Sequence, residues 1–286
     1  MSLKILKAGI LDTVQDYGRY GYQQLGINPG GVMDRQAMQT ANLLVGNEMD
    51  EAVLEFFYPA PEILFESNAF ITITGGNFSP MINGDGIKIG RPVMVSKNSV
   101  IQFPKKKKGQ CCYLAVHGGF SIEPWLNSCS TNLKGSTGGY EGRKLKRDDR
   151  LDFKKDFQSE LLKTSDIVKL PWRAAPIDDL SAGNEIFILP GNEWSNLTEQ
   201  SKTDLTSKEF KVEISSDRMG YRVDGEKLSS LSKDELVSTA VTFGTIQLLP
   251  NGQLIVLMAE SQTSGGYPRI GHVIFTHLSK LAQKQA

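Results

Sequence analysis

The chain has 286 residues, with 32 basic and 32 acidic side chains for a formal net charge of zero, and 40% of it is apolar. That balance excludes a disordered tail, gives nucleic acid no electrostatic foothold, and supplies enough chain for one large or two medium folded cores. A globular protein with neither a nucleic-acid nor a membrane partner is expected. The three cysteines, Cys111, Cys112 and Cys129, fit neither a disulfide framework nor a zinc spacing, so a reducing compartment is the simplest inference. Met1 to Lys7 leads into Gly9, Asp12 and Asp16 instead of an apolar signal core, and the longest apolar run covers only residues 254 to 259. A membrane span needs about 18. The expected location is the cytoplasm.

In chain order, Asp34 is placed to cap a helix whose Met38, Ala41, Leu44 and Val45 share one face, with Gly46 at its end. Phe70 to Thr74 alternates large apolar and hydroxyl side chains as a half-buried strand does. Asn83-Gly84-Asp85-Gly86 then reads as a hairpin turn, because Asn-Gly suits the two left-handed positions of a type I′ turn. Further strands are expected at 93–95, 100–103, 111–116, 185–189, 210–214, 245–249 and 254–259, and the four lysines at 105–108 read as a solvated hairpin tip. The charged segment 144–181 lacks periodicity and reads as a linker. It divides the chain into an N-terminal β lobe at 1–170 and a C-terminal β lobe at 171–286. Ile270, Val273, Ile274, Leu278 and Leu281 have the spacing of a final amphipathic helix, and the last residues should fray.

The common catalytic signatures are missing: the chain has no phosphate-binding G-x-x-x-x-G-K-[ST], no H-E-x-x-H and no G-x-S-x-G. His117, His272 and His277 are not spaced as a metal set, and no metal site is expected. Four glycine-bearing polar stretches carry more information. Residues 13–22 read T-V-Q-D-Y-G-R-Y-G-Y, 113–120 read Y-L-A-V-H-G-G-F, 216–222 read S-D-R-M-G-Y-R, and 262–270 read Q-T-S-G-G-Y-P-R-I. Each gathers amides, carboxylates, guanidinium groups or phenols around glycines, where a small polar ligand can approach exposed backbone. The first and third share Asp, Arg, Gly and Tyr at similar spacing, as duplicated lobes would.

Together with M-D at 33–34, A-N-L-L-V-G-N at 41–47, L-E at 54–55 and G-T-I-Q at 244–247, these stretches resemble the biotin-dependent carboxyltransferase family. That family includes the C-type subunits of 5-oxoprolinase, the KipA proteins and the allophanate hydrolase subunit 2-like region of urea carboxylase. The resemblance spans nearly the whole chain in family order. It implies a mainly β protein of two cyclophilin-like β-barrel lobes with a few short helices. It also implies a KipI-like partner, usually with a YcsF/LamB-like one.

The activity the resemblance implies is ATP-dependent opening of 5-oxo-L-proline to L-glutamate, with ATP bound by a partner protein and no cofactor on this chain. One alternative is transfer of a carboxyl group from carboxybiotin, supplied in trans, to a small amide such as urea. Another is a non-enzymatic regulator that binds a KipI-like inhibitor of a sensor kinase. Either chemistry needs a polarised carbonyl and a positioned N–H. Asp16 and Asp217 are therefore candidate bases or N–H acceptors, and Arg19 and Arg218 candidate oxyanion stabilisers. Tyr22, Gln262, Thr263, Gly265, Gly266, Tyr267 and Arg269 are candidate substrate-binding residues. Asp34 and Asn42 match the family text but suit a helix cap and a buried helix amide. The chain departs from the usual family text in four places. Cys129 replaces an arginine, Thr239 a glutamate, Glu260 an aspartate and Asp148 a glycine.

Overall fold

The computed structural model describes residues 1–174, 183–232 and 236–285. Among the described residues most regular structure is β, arranged as three six-stranded sheets and a two-stranded ribbon. The chain forms two compact units, one of Met1–Gly18 with Asp34–Gly183, the other of Arg19–Met33 with Asn184–Ala286. The division therefore differs from a single break near residue 170. A fifteen-residue excursion, Arg19–Met33, leaves the first half of the sequence to join the second unit.

The segment at 144–181 is not the linker its charge suggested. Arg150–Asp152 pairs with Ser2–Lys7, and Ile167–Lys169 pairs with Val93–Val95. Both are outermost strands of their sheets, where charged side chains are tolerated and discourage further pairing, so their sequences lack the alternation of inner strands. Residues 175–181 of that stretch lie outside the described residues.

In the first unit two six-stranded sheets share one core. Leu3, Ile5, Ile63, Phe65 and Ile101 come from one sheet, and Leu54, Phe56, Ile71, Ile73, Val93 and Leu114 from the other. The predicted hairpin turn is present between Met81–Ile82 and Asp85–Gly86, with Asn83 at φ 48° and Gly84 at φ 89°, both left-handed as a type I′ turn requires. The helix Arg35–Leu44 begins where expected: the Asp34 carboxylate accepts a hydrogen bond from the Ala37 N–H at 2.9 Å.

The second unit is built on one antiparallel sheet. Its strand order is Ile188–Pro190, Arg269–Val273, Thr245–Leu248, Leu254–Leu257, Gly220–Asp224, Lys211–Val212. The C-terminal apolar stripe divides here: Ile270 and Val273 belong to the strand Arg269–Val273, and only Phe275–Ala282 is helical. That strand buries residues without strict alternation, so its apolar spacing imitates a helix until its neighbours are known. Thr239–Ala240 and Ser264–Gly265 form the separate ribbon.

Candidate active site

Of the eleven residues singled out from sequence, Asp16 falls in the first unit and the other ten in the second. Within the second unit the excursion 19–33 is held by side chains the sequence had marked for chemistry. Arg218 is buried, and its Nε donates to Glu260 Oε1 at 2.9 Å while Nη2 donates to the Gly31 carbonyl. Asn28 Nδ2 donates to the Glu260 carbonyl at 2.9 Å, and the Arg19 N–H donates to the Pro29 carbonyl. The Arg19 side chain is 1% exposed and packs beside Gly30, where a Cβ would fall 3.1 Å from Nη1. Arg218 and Arg19 are thus interior residues of this unit, and Arg218 is half of a buried ion pair. Glu260, the other half, was noted in the sequence only as a departure.

Asp217 lies on the surface. Its Oδ1 accepts from the N–H groups of Met219 and Gly220, a turn that starts the strand Gly220–Asp224. Asp16, by contrast, follows the strand Asp12–Gln15, so the short sequence repeat marks opposite ends of strands rather than equivalent positions.

Arg269, a candidate substrate-binding residue, is already engaged. Its Nε and Nη2 donate to the two carboxylate oxygens of Glu193, at 3.1 and 2.8 Å, and its backbone N–H donates to Glu193 as well. The same hydrogen bonds hold the Glu193 carboxyl below its ordinary range. Nothing in the sequence pattern pointed to Glu193. Its partner lies 76 residues away, at the end of an adjacent strand.

The stretch 262–267 retains polar groups not committed in this way. Gln262 and Tyr267 are exposed, Thr263 gives its carbonyl to the Val241 N–H, and Gly265 pairs with Thr239 in the ribbon. Gly266 packs so that a Cβ would meet the Leu236 carbonyl at 3.0 Å. Under the ribbon lies Gln247, buried, with its Nε2 without a hydrogen-bond partner among the described residues. In the sequence Gln247 stands out only as the last residue of G-T-I-Q. A polar residue within an apolar strand was the available signal. Tyr22 is half-buried and begins a short 3₁₀ turn at Gln23–Leu25.

In the first unit the Asp16 carboxylate ties the end of a strand to the loop 128–130. Oδ1 accepts from the Gly18 N–H, Ser128 Oγ and Ser130 Oγ at 2.6 to 2.8 Å, and Oδ2 accepts from the Cys129 N–H. Four donors on one carboxylate commit Asp16 to holding this loop. Burial, together with the neighbouring Asp16, pushes the Cys129 thiol up to about 11, so it is a neutral group at physiological pH. The Gly118-Gly119 amides, the expected approach for a ligand, are used internally by Asn47 Oδ1 and the Val116 carbonyl.

A model of the carboxyltransferase domain, subdomains A and B, matches residues 25–286. The chain belongs to this family. It is 35% identical to the C-type subunit of the Escherichia coli 5-oxoprolinase over 98% of its own length and 87% of the relative's. It is 34% identical to that of Haemophilus influenzae over 95% and 84%. Among solved structures it superposes on the Kluyveromyces lactis urea carboxylase with a TM-score of 0.88 at 26% identity, covering 99% of this chain and 26% of that one. It superposes on TTHA0988 with a TM-score of 0.84 at 27% identity, spanning 54% of that longer chain.

Two of the departures from the carboxyltransferase-domain text have a structural account. Asp148 stands where glycine is usual and adopts φ 71°, a conformation aspartate tolerates better than most residues, with its carboxylate 2.7 Å from Lys4 Nζ. Glu260 retains the carboxylate that Arg218 requires. Thr239 sits on the ribbon directly opposite Gly265. Cys129 places no positive charge beside Asp16, where two serine hydroxyls and backbone N–H groups solvate the carboxylate.

Proposed function

We propose that this chain is the non-ATP-binding subunit of an ATP-dependent 5-oxoprolinase that converts 5-oxo-L-proline to L-glutamate. The observation that carries the reading is the match of 95 to 98% of this chain to two proteins named as C-type subunits of 5-oxoprolinase, covering 84 to 87% of their lengths. The similar segment makes up only 13% of the Lachancea kluyveri urea amidolyase. In this reaction the lactam C–N bond breaks, the carbonyl carbon gains oxygen from water, and the nitrogen takes up a proton to become the amine of glutamate. Hydrolysis of ATP on a partner drives the opening. A KipI-like and a YcsF/LamB-like protein would complete the enzyme, and the cytoplasm is its expected location.

The chain's part in this reading is to hold the lactam and polarise its carbonyl. Gln262, Thr263, Gly265, Gly266 and Tyr267 offer one accessible polar surface of the second unit. Arg218 and Arg269 act one step back, fixing the backbone on either side of that surface through Glu260 and Glu193. Asp217 holds the turn before Gly220–Asp224, Arg19 and Tyr22 belong to the excursion 19–33, and Asp16 holds the 128–130 loop of the first unit.

Mixing the purified chain with the two partner proteins and following ATP-dependent glutamate formation tests the proposal. The full set should turn over, and omission of this chain should abolish the reaction. An equal rate without it refutes the reading. Carboxyl transfer from carboxybiotin to a small amide is the second reading, favoured by the structural likeness to urea carboxylase. It predicts biotin-dependent carboxylation of urea by a carrier-supplied mixture and no glutamate.

A further inference from the structure

Gln247 lies on the inner strand Thr245–Leu248, is 1% exposed, and has an Nε2 without a partner among the described residues. A buried amide donor that has given up water without gaining an acceptor is rare in folded proteins, and each case calls for an explanation. The nitrogen faces Gly265. A Cβ on Gly265 would fall 2.7 Å from Gln247 Nε2 and 3.5 Å from Gln262 Nε2. Two side-chain amides, one buried in the sheet and one on the exposed loop, thus converge on the bare face of a single glycine.

The backbone at Gly265 is not left-handed, so its conformation does not demand glycine, and what a Cβ there would displace is the amide end of Gln247. Both nitrogens at this point are neutral donors. The cation of the same loop, Arg269, is turned to Glu193 in a bidentate pair. Uncharged donors converging where positive charge is withdrawn select a neutral oxygen acceptor, such as an amide or lactam carbonyl, over a carboxylate.

We propose that Gln247 and Gln262 form a carbonyl-oxygen subsite against Gly265, each donating an Nε2–H to the amide or lactam oxygen of the substrate. The subsite stands on the geometry. Only the identity of the substrate, 5-oxo-L-proline, rests on the function proposed above. Gln247 is then a substrate-binding residue that stays unpaired until the carbonyl arrives, and a side chain at Gly265 would push its amide out of the subsite.

The test has two arms. In the first, ¹⁵N-labelled full-length chain is titrated with 2-pyrrolidinone, an uncharged lactam, while the glutamine side-chain NH₂ signals are followed. The Gln247 and Gln262 pairs should shift saturably, and Gly265→Ala and Gln247→Met should each weaken binding about tenfold, the loss of one hydrogen bond. In the second, the same variants in the reconstituted enzyme should raise KM for 5-oxoproline by a similar factor, with a smaller change in kcat. If both variants turn over with unchanged KM, the subsite is refuted and the 5-oxoprolinase reading stands. If no mixture makes glutamate, that reading fails, and the titration alone decides: saturable shifts uphold the subsite, and none at millimolar lactam overturns it. Should Gln247→Met fold poorly, Gly265→Ala reports on the same contact from the surface.

Discussion

Replacing Arg218 by methionine should cost stability, and the structure says how much. The side chain is 4% exposed and its Nε lies 2.9 Å from Glu260 Oε1, itself 9% exposed, so the pair is buried on both sides. Methionine keeps much of the volume but leaves the Glu260 carboxylate without its cation, a change that costs about 3–5 kcal/mol in buried pairs. For a chain of this size that is a fall of roughly 10 °C in the unfolding midpoint. The Nη2 bond to the Gly31 carbonyl is lost as well, so peptides from 19–33 should exchange amide hydrogen faster than the rest of the second unit. Calorimetry with hydrogen-exchange mass spectrometry reads both effects. The double change Arg218→Met with Glu260→Leu should recover most of the loss, because an apolar pair replaces the ionic one without an orphaned charge. A single variant that melts within about 2 °C of the parent, with unchanged exchange in 19–33, refutes the reasoning. It would return Arg218 to the role its sequence context suggested, a catalytic group whose removal leaves the fold intact.

Three further outcomes follow from the same structure. Burial raises the Asp12 carboxyl to about 7, so the folded state binds the proton more tightly than the unfolded one. Stability should therefore fall as pH rises from about 4 to 7, by roughly 3–5 kcal/mol in all, and Asp12→Asn should flatten that slope in urea titrations; identical slopes argue against it. The hydrogen bonds from Arg269 depress the Glu193 carboxyl, so its contribution is present above the ordinary glutamate range and lost as pH drops through the lowered value. Glu193→Gln should remove that acid-side loss, and a variant that keeps the parent's acid profile counts against the pairing. Asp34→Ala should cost about 1 kcal/mol through loss of the helix cap, read as a midpoint shift that Asp34→Ser largely restores.

What could be read from the sequence was local. The Asp34 cap, the Asn83-Gly84 turn and the strands at 93–95 and 111–116 are written in a few neighbouring residues, and the structure has them where expected. The errors lie where neighbours distant in sequence decide. Arg150–Asp152 and Ile167–Lys169 look like linker because edge strands need little apolar patterning. Ile270 and Val273 look helical because their strand is defined by partners, Ile188–Pro190 and Thr245–Leu248, that are distant in sequence. The excursion of Arg19–Met33 into the second unit had no local mark, since it depends on Arg218 and Asn28 reaching the backbone of partners far along the chain.

The same distinction separates the marked site residues from the one whose donor is unused. Arg, Asp and Tyr beside glycine attract attention because they can do chemistry, but a charged group in a protein interior must first be neutralised by its surroundings. Arg218, Arg269 and Asp16 have each met that requirement within the chain, through Glu260, Glu193 and the 128–130 loop. Their valences are spent on holding loops in place, and to contact a substrate they would have to break those bonds. Gln247 carries no charge and drew no notice, but its amide donor is buried and unspent. For the proposed carbonyl subsite, the group kept without a partner says more about the ligand than the groups with the strongest fields. The Gly265→Ala variant compares the two directly, because it closes the Gln247 subsite while leaving every ion pair in the unit in place.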